Sequence, residues 1–119
     1  MFCGIDFGTS NSTVALADAT GARLIALEDD ALTLPSAVFW PDDRGPLQFG
    51  RAAMGTYLEG EEGRLMRGLK STLGSNLIDE RTLLGGRMVG FRSVIEAYFA
   101  HLKQQLNAAY GPMDAVVLG

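Results

Sequence analysis

The 119-residue sequence contains one cysteine, one histidine and no long apolar run. A single cysteine cannot form a disulfide within the chain, which is consistent with a reducing compartment. No apolar run approaches the length that spans a bilayer, and the first residues lack the basic and apolar regions of a signal peptide. The sequence therefore predicts a soluble, cytoplasmic domain that has no membrane partner.

An excess of either charge is also missing, since 14 acidic and 10 basic residues give a net charge of −4. This balance supplies no broad basic surface, so we expect no nucleic-acid partner. The sequence has no Walker loop, no G-x-G-x-x-G loop, no zinc-ligand spacing and no catalytic triad. With 47% apolar and 20% charged residues, it has the composition and length of one globular domain.

The most informative pattern lies in the first thirteen residues. A short apolar run that carries Asp6 breaks at Gly8, and the small polar residues Thr9, Ser10 and Asn11 follow. This pattern predicts a strand, a tight turn and a second strand, with a turn rich in hydrogen-bond donors. Such a turn can bind an anion, and Asp6 beside it could face a divalent cation. The same residues also fit an ordinary hairpin with a polar tip.

Periodicity and turn residues predict the elements that follow. Further strands are expected over residues 23–27, 36–40 and 47–50, and the first of these completes an antiparallel three-strand meander. A helix is expected from residue 51 to about 58, a helical turn or two over 64–70, and a hairpin with a two-glycine turn over 81–89.

A long helix from residue 94 to about 109 is the clearest secondary-structure prediction. Its apolar positions fall on one stripe at helical spacing: Ile95, Tyr98, Phe99, Leu102 and Leu106. Ser93 and Glu96 match a capping box at its start, and Gly111 with Pro112 ends it. Residues 113–119 then predict a buried strand.

The string Gly4-Ile5-Asp6-Phe7-Gly8-Thr9-Ser10-Asn11-Ser12 closely resembles the first phosphate-binding motif of the DnaK-type heat-shock chaperones. These proteins belong to the actin and sugar-kinase ATPase superfamily. Later segments resemble the same family, and three of them look closer to its YegD-like branch: residues 36–40, 69–74 and 99–104. The resemblance implies an α/β fold of the actin-like ATPase (ribonuclease H-like) type, in which this chain forms part of lobe I.

The resemblance also implies a cofactor, Mg²⁺-bound ATP or ADP, and a role for each matching residue. Asp6 would face Mg²⁺ through water, and the turn of Gly8, Thr9, Ser10 and Asn11 would contact the β- and γ-phosphates. Lys70 would reach towards the γ-phosphate and the attacking water, so that Lys70 and Asp6 would be the catalytic residues. Unfolded peptides, bound by other regions of such chaperones, and co-chaperones would be the partners.

The family's second phosphate loop, adenosine-contacting segment and peptide-binding domain have no counterpart in these 119 residues. We therefore expect the N-terminal part of a nucleotide-binding domain, inactive alone. Residues 1–30 and 113–119 would form the sheet of its first subdomain, and about 31–112 an inserted second subdomain. A small-molecule kinase of the same superfamily and a non-hydrolysing nucleotide-binding scaffold remain alternatives.

Two reactive residue types lie outside this motif. Cys3 lies in an apolar strand without a nearby basic residue, which favours a core position over a nucleophile. His101 has no partner at metal-ligand spacing, which favours packing or surface exposure over catalysis.

Overall fold

A computed structural model describes residues 1–43, 45–84 and 86–119. Within these ranges the chain forms ten strands and two α-helices, which confirms the predicted mixed α/β class. The strands are β1 (Phe2–Phe7), β2 (Asn11–Asp18), β3 (Gly21–Ile25), β4 (Leu34–Pro35), β5 (Val38–Pro41), β6 (Gln48–Phe49), β7 (Gly63–Met66), β8 (Arg81–Leu84), β9 (Arg87–Gly90) and β10 (Ala115–Leu118). The helices are α1 (Gly50–Leu58) and α2 (Phe91–Tyr110), and two short 3₁₀ helices span Leu69–Thr72 and Asn76–Asp79.

The main sheet has the order β10-β1-β2-β3, and β4 pairs with the start of β2 beyond the end of β3. The antiparallel meander of β1, β2 and β3 is confirmed, and β10 adds to β1 in parallel. Alternation along β1 buries Cys3, Ile5 and Phe7 and leaves Asp6 exposed on the opposite face. The core position predicted for Cys3 is therefore confirmed.

Helix α2 covers the buried face of this sheet. Val94, Ile95, Tyr98, Leu102 and Leu106 are buried against the strands, and Phe99 is partly buried beside them, so the predicted stripe is confirmed. The predicted capping box is wrong, because the helix begins three residues earlier than expected, at Phe91. Gly90 occupies the N-cap position, and Ser93 lies inside the first turn, where it has no cap to form.

A second sheet, of order β6-β5-β7, packs beside α1. The helical turn predicted over 64–70 is wrong for its first half, since Gly63–Met66 is strand β7 and pairs antiparallel with β5. This pairing buries Met66 beside Val38, and such tertiary contacts override a weak helical pattern. A 3₁₀ helix follows only at Leu69–Thr72.

Strands β8 and β9 form the predicted hairpin, although Gly85 of its two-glycine turn lies outside the described residues. The terminal strand β10 forms as predicted, but its predicted burial is wrong. Val116, Val117 and Leu118 are all more than half exposed, because β10 is an edge strand that pairs only with β1. Neither described helix is both long and apolar enough to cross a membrane.

Candidate functional site

The turn between β1 and β2, residues Gly8 to Asn11, is closed by its own backbone. The Gly8 N–H donates a hydrogen bond to the Asn11 carbonyl oxygen at 3.0 Å. A Cβ atom on Gly8 would collide with that same oxygen, and the neighbour is backbone that cannot move aside. Only glycine therefore allows this turn, which gives a steric reason for the residue that the sequence pattern singled out.

Ser36, the residue after β4, holds both inward-facing carbonyls of the turn. Its hydroxyl donates to the Gly8 carbonyl oxygen at 2.8 Å, and its backbone N–H donates to the Ser10 carbonyl oxygen at 3.0 Å. The N–H groups of Thr9 and Ser10 donate no hydrogen bond to any described residue. Ser36 thus occupies the Gly8 and Ser10 carbonyl oxygens, and the N–H groups of two exposed residues, Thr9 and Ser10, remain as donors for a ligand.

A chain of buried hydroxyl groups supports Ser36 from behind. Its Oγ lies 2.8 Å from the Oγ of Ser12, which accepts from the Tyr98 hydroxyl at 3.1 Å. Because the Ser36 proton goes to Gly8, its oxygen accepts from Ser12, and the Ser12 oxygen shares the single proton of the Tyr98 hydroxyl with the Pro35 carbonyl oxygen, which lies 3.2 Å from Tyr98. Burial raises the pKa of the Tyr98 phenol above its ordinary value near 10, so the first donor stays protonated at neutral pH.

The turn forms one wall of an open pocket of about 400 Å³. Its other walls come from β4 and the residues after it, from α1, and from the segment after β7. The lining residues are Thr9, Ser10, Asn11, Pro35, Ala37, Met54, Arg67 and Gly68. Polar donors, a small apolar surface and one guanidinium therefore meet around a space large enough for a phosphate group.

The position of α1 beside this pocket is fixed by Glu28 and Arg51. The Glu28 carboxylate accepts from the Arg51 backbone N–H at 2.7 Å and from its guanidinium at 3.0 Å. Arg51 is the second residue of α1, where a carboxylate interacts favourably with the helix dipole. This contact ties the loop after β3 to the helix that supplies Met54 to the pocket wall.

Lys70 lies on the 3₁₀ helix Leu69–Thr72 and is exposed. It is not among the residues that line the pocket, although Gly68, two positions earlier, is. Gly68 has a φ angle of 64°, in the left-handed region, and this turns the chain from β7 into the 3₁₀ helix. The structure therefore places Arg67 and Gly68, which precede the Lys70 segment, on the pocket wall, and Lys70 itself outside it.

Asp6 ends up beside the turn without lining the pocket. It is exposed, and its neighbour across the sheet is Thr13 of β2. Within the described residues no group of three or more His, Cys, Asp or Glu side chains could hold a metal ion. A single carboxylate suits Mg²⁺ that keeps most of its waters and is bound mainly by ligand phosphates. The water-mediated role that the resemblance implies for Asp6 therefore stays a prediction.

Sequence reasoning missed three residues of this site: Ser36, Tyr98 and Arg67. Ser36 was assigned to a strand and Tyr98 to an apolar stripe, and nothing local shows that their hydroxyl groups meet Ser12. Arg67 lies in the segment for which the sequence predicts a helical turn, where no pattern marks it as a binding residue. The adjacent Gly68 was the available signal, because a glycine there permits the sharp turn that places Arg67 at the pocket.

A larger pocket, of about 700 Å³, lies between α2 and the β10 edge of the sheet. Its lining is mostly apolar and includes Phe99, Leu106 and Leu118. It shares no lining residue with the pocket at the turn, and its polar side chains, Lys103, Asn107 and Asp114, include a carboxylate that would repel a phosphate. The smaller pocket is therefore the better candidate site.

His101 takes the packing role that the sequence favoured. Its ring stacks on Phe49 with the ring centroids 4.4 Å apart, and burial lowers its pKa below the ordinary value of 6.5.

Comparison of the chain with models of known protein families gives no match, and a search of curated protein sequences gives none either.

Proposed function

We propose that the turn of Gly8 to Asn11 binds the phosphates of Mg²⁺-ATP, and that the chain is part of the ATPase domain of a DnaK-like chaperone. The single observation that carries the phosphate site is the turn itself: Thr9 and Ser10 are exposed, their N–H groups donate to no described residue, and Ser36 occupies the Gly8 and Ser10 carbonyl oxygens. Exposed backbone N–H groups at a glycine turn are a recurrent means of binding phosphate oxygens. The sequence resemblance supplies the choice of ATP and of the chaperone family.

In this proposal each predicted residue has a distinct task. Asp6 holds the hydrated Mg²⁺ through water, and the turn orients the β- and γ-phosphates. Lys70 offsets the negative charge that develops on the γ-phosphoryl group as water attacks it. Hydrolysis would then change the relation of the two lobes and so regulate a peptide-binding region. The actin-like arrangement of lobe I is part of the same proposal.

The described residues supply one wall of such a site, so water is not excluded from the phosphates. We therefore expect the 119-residue chain to bind Mg²⁺-ATP weakly and to hydrolyse it at a negligible rate. Calorimetric titration of Mg²⁺-ATP into the chain measures the affinity directly. Micromolar affinity would contradict the one-wall account, and no heat of binding at millimolar nucleotide would contradict the phosphate site itself.

Two glycine variants serve as the controls for this titration, one in the turn at Gly8 and one on strand β1 at Gly4. Gly8→Ala introduces a Cβ that collides with the Asn11 carbonyl oxygen, whereas Gly4→Ala meets no atom within 4 Å. The proposal requires that Gly8→Ala abolish the weak binding and that Gly4→Ala leave it unchanged. Equal binding by both variants would place the nucleotide elsewhere on the chain.

A further inference from the structure

Arg67 lies on the pocket wall with the turn residues Thr9, Ser10 and Asn11. Its position is set by its neighbours on both sides. Met66, the last residue of β7, is buried and pairs with Val38 of β5, and Gly68 turns the chain at a φ angle of 64°. These neighbours fix the backbone of Arg67 at the pocket, and its exposed side chain is available to a ligand there.

No acidic residue neutralises this guanidinium in the part of the chain that the structure describes. The ion pairs found there join Met1 to Asp114, Arg51 to Glu28 and Arg92 to Asp79.

The lining of the pocket likewise contains no carboxylate. Arg67 is therefore the only charged residue among those that line the pocket in the described part of the chain, and it lies there with amide and hydroxyl donors. A guanidinium with backbone N–H groups is suited to oxygen atoms of phosphate, which it can contact through two parallel hydrogen bonds.

We propose that Arg67 is a phosphate-binding residue of this pocket and makes it prefer ligands with a longer, more negatively charged polyphosphate, such as ATP over ADP. The choice of a nucleotide rests on the proposed function, whereas the phosphate chemistry rests on the pocket alone. Arg67 acts in ground-state binding, and this separates its role from that proposed for Lys70 in hydrolysis. No part of this role was expected from the sequence, which singled out only Lys70 in this segment.

The test measures binding of inorganic tripolyphosphate, Mg²⁺-ATP and Mg²⁺-ADP to the folded chain by NMR titration at millimolar ligand. Arg67→Gln removes the charge, and Arg67→Lys keeps the charge but loses the planar pair of donors. Arg23→Gln, an exposed arginine on β3, is the matched control for net charge. Circular dichroism establishes that each variant is folded before titration.

We expect Arg67→Gln to weaken tripolyphosphate and Mg²⁺-ATP binding about tenfold or more, the size of a lost charge-assisted hydrogen bond. Arg67→Lys should lie between wild type and Arg67→Gln, and Arg23→Gln should bind like wild type. Added salt should weaken wild-type binding more than Arg67→Gln binding, because the lost contact is electrostatic. The preference for ATP over ADP should shrink in Arg67→Gln.

The possible outcomes separate this inference from the proposed function. Arg67-dependent binding of tripolyphosphate without binding of ATP would support the inference and overturn the nucleotide proposal. Binding of ATP that is equal in wild type and Arg67→Gln would overturn the inference and leave the nucleotide proposal in place. Binding of neither ligand by the wild type would overturn both.

Discussion

The two segments that the sequence singled out, the opening turn and the Lys70 segment, each contain a hydrogen bond from a serine hydroxyl to a glycine carbonyl oxygen, in different surroundings. In the first, the Ser36 hydroxyl donates to the Gly8 carbonyl at 2.8 Å, and in the second the Ser71 hydroxyl donates to the Gly68 carbonyl at 2.7 Å. Ser36 is 1% exposed and belongs to a chain of buried hydroxyl groups, whereas Ser71 is exposed. The comparison shows that burial, more than the bond itself, determines which turn is held in one geometry.

Two glycine variants should give the largest difference in the free energy of unfolding, because an added Cβ atom collides with the backbone at one position and has open space at the other. Gly8→Ala should lower the free energy of unfolding by about 2–4 kcal/mol, because the new Cβ collides with the Asn11 carbonyl oxygen and forces the turn open. Gly4→Ala has open space and should change stability by less than about 0.5 kcal/mol. Urea unfolding measures both values. A similar small effect in both variants would show that the turn is not closed as described.

Two serine variants test whether burial makes the Ser36 hydrogen bond contribute more to stability than the Ser71 hydrogen bond. Ser36→Ala leaves the part-buried Gly8 carbonyl and the buried Ser12 hydroxyl each short of a partner, and should lower the free energy of unfolding by about 1–3 kcal/mol. Ser71→Ala exposes the Gly68 carbonyl to water, which replaces the lost donor, so the cost should stay within about 0.5 kcal/mol. Chemical unfolding of the two variants side by side gives the contrast. Equal costs would remove burial as the deciding factor.

Tyr98→Phe removes only the first donor of the hydroxyl chain. The ring stays buried against Phe7, so we expect a loss of about 1 kcal/mol in the free energy of unfolding, close to the value of one hydrogen bond. Ser12 then lacks a donor, so the amide resonances of the turn should shift although it lies far from residue 98 in sequence. Unchanged turn resonances would mean that the hydroxyl chain does not position the turn.

The smallest expected effect is a change in the pH dependence of stability, and it involves the contact of His101 with Phe49. Burial against Phe49 lowers the pKa of His101 in the folded protein below its ordinary value of 6.5. Below pH 6.5 the unfolded chain therefore binds more protons than the folded one, and stability falls as the pH falls through this window. Stability measured by urea unfolding at pH 8 and at pH 5 should differ less in His101→Gln than in wild type. An equal difference in the two proteins would assign the pH dependence to other groups.

Much of the fold could be predicted from local patterns. The meander, the hairpin of β8 and β9 and the long helix α2 follow from residue periods and turn residues that act over a few positions. Strand β7 could not be predicted in this way, because Arg64 to Met66 becomes extended only through pairing with β5. The exposure of β10 was missed for a related reason, since a run of apolar residues does not show whether its strand lies at a sheet edge.

The candidate site was predictable only where it depends on residues that are close in sequence. Gly8 to Asn11 could be identified because the turn chemistry is contiguous in sequence. The residues that fix the turn could not be identified from the sequence, because Ser36 lies 28 residues from Gly8 and Tyr98 lies 86 residues from Ser12. Whether the turn is an anion site or an ordinary polar hairpin depends on these distant contacts.

The most direct test follows the backbone amides of Thr9 and Ser10 in ¹⁵N-labelled protein while Mg²⁺-ATP or tripolyphosphate is added. These N–H groups have no acceptor among the described residues, and the account predicts that their resonances shift most, together with the Arg67 side chain. Gly8→Ala should remove these shifts, and Gly4→Ala should preserve them. Shifts that fall instead on the apolar pocket beside Phe99 and Leu118, or no shifts at all, would contradict the account.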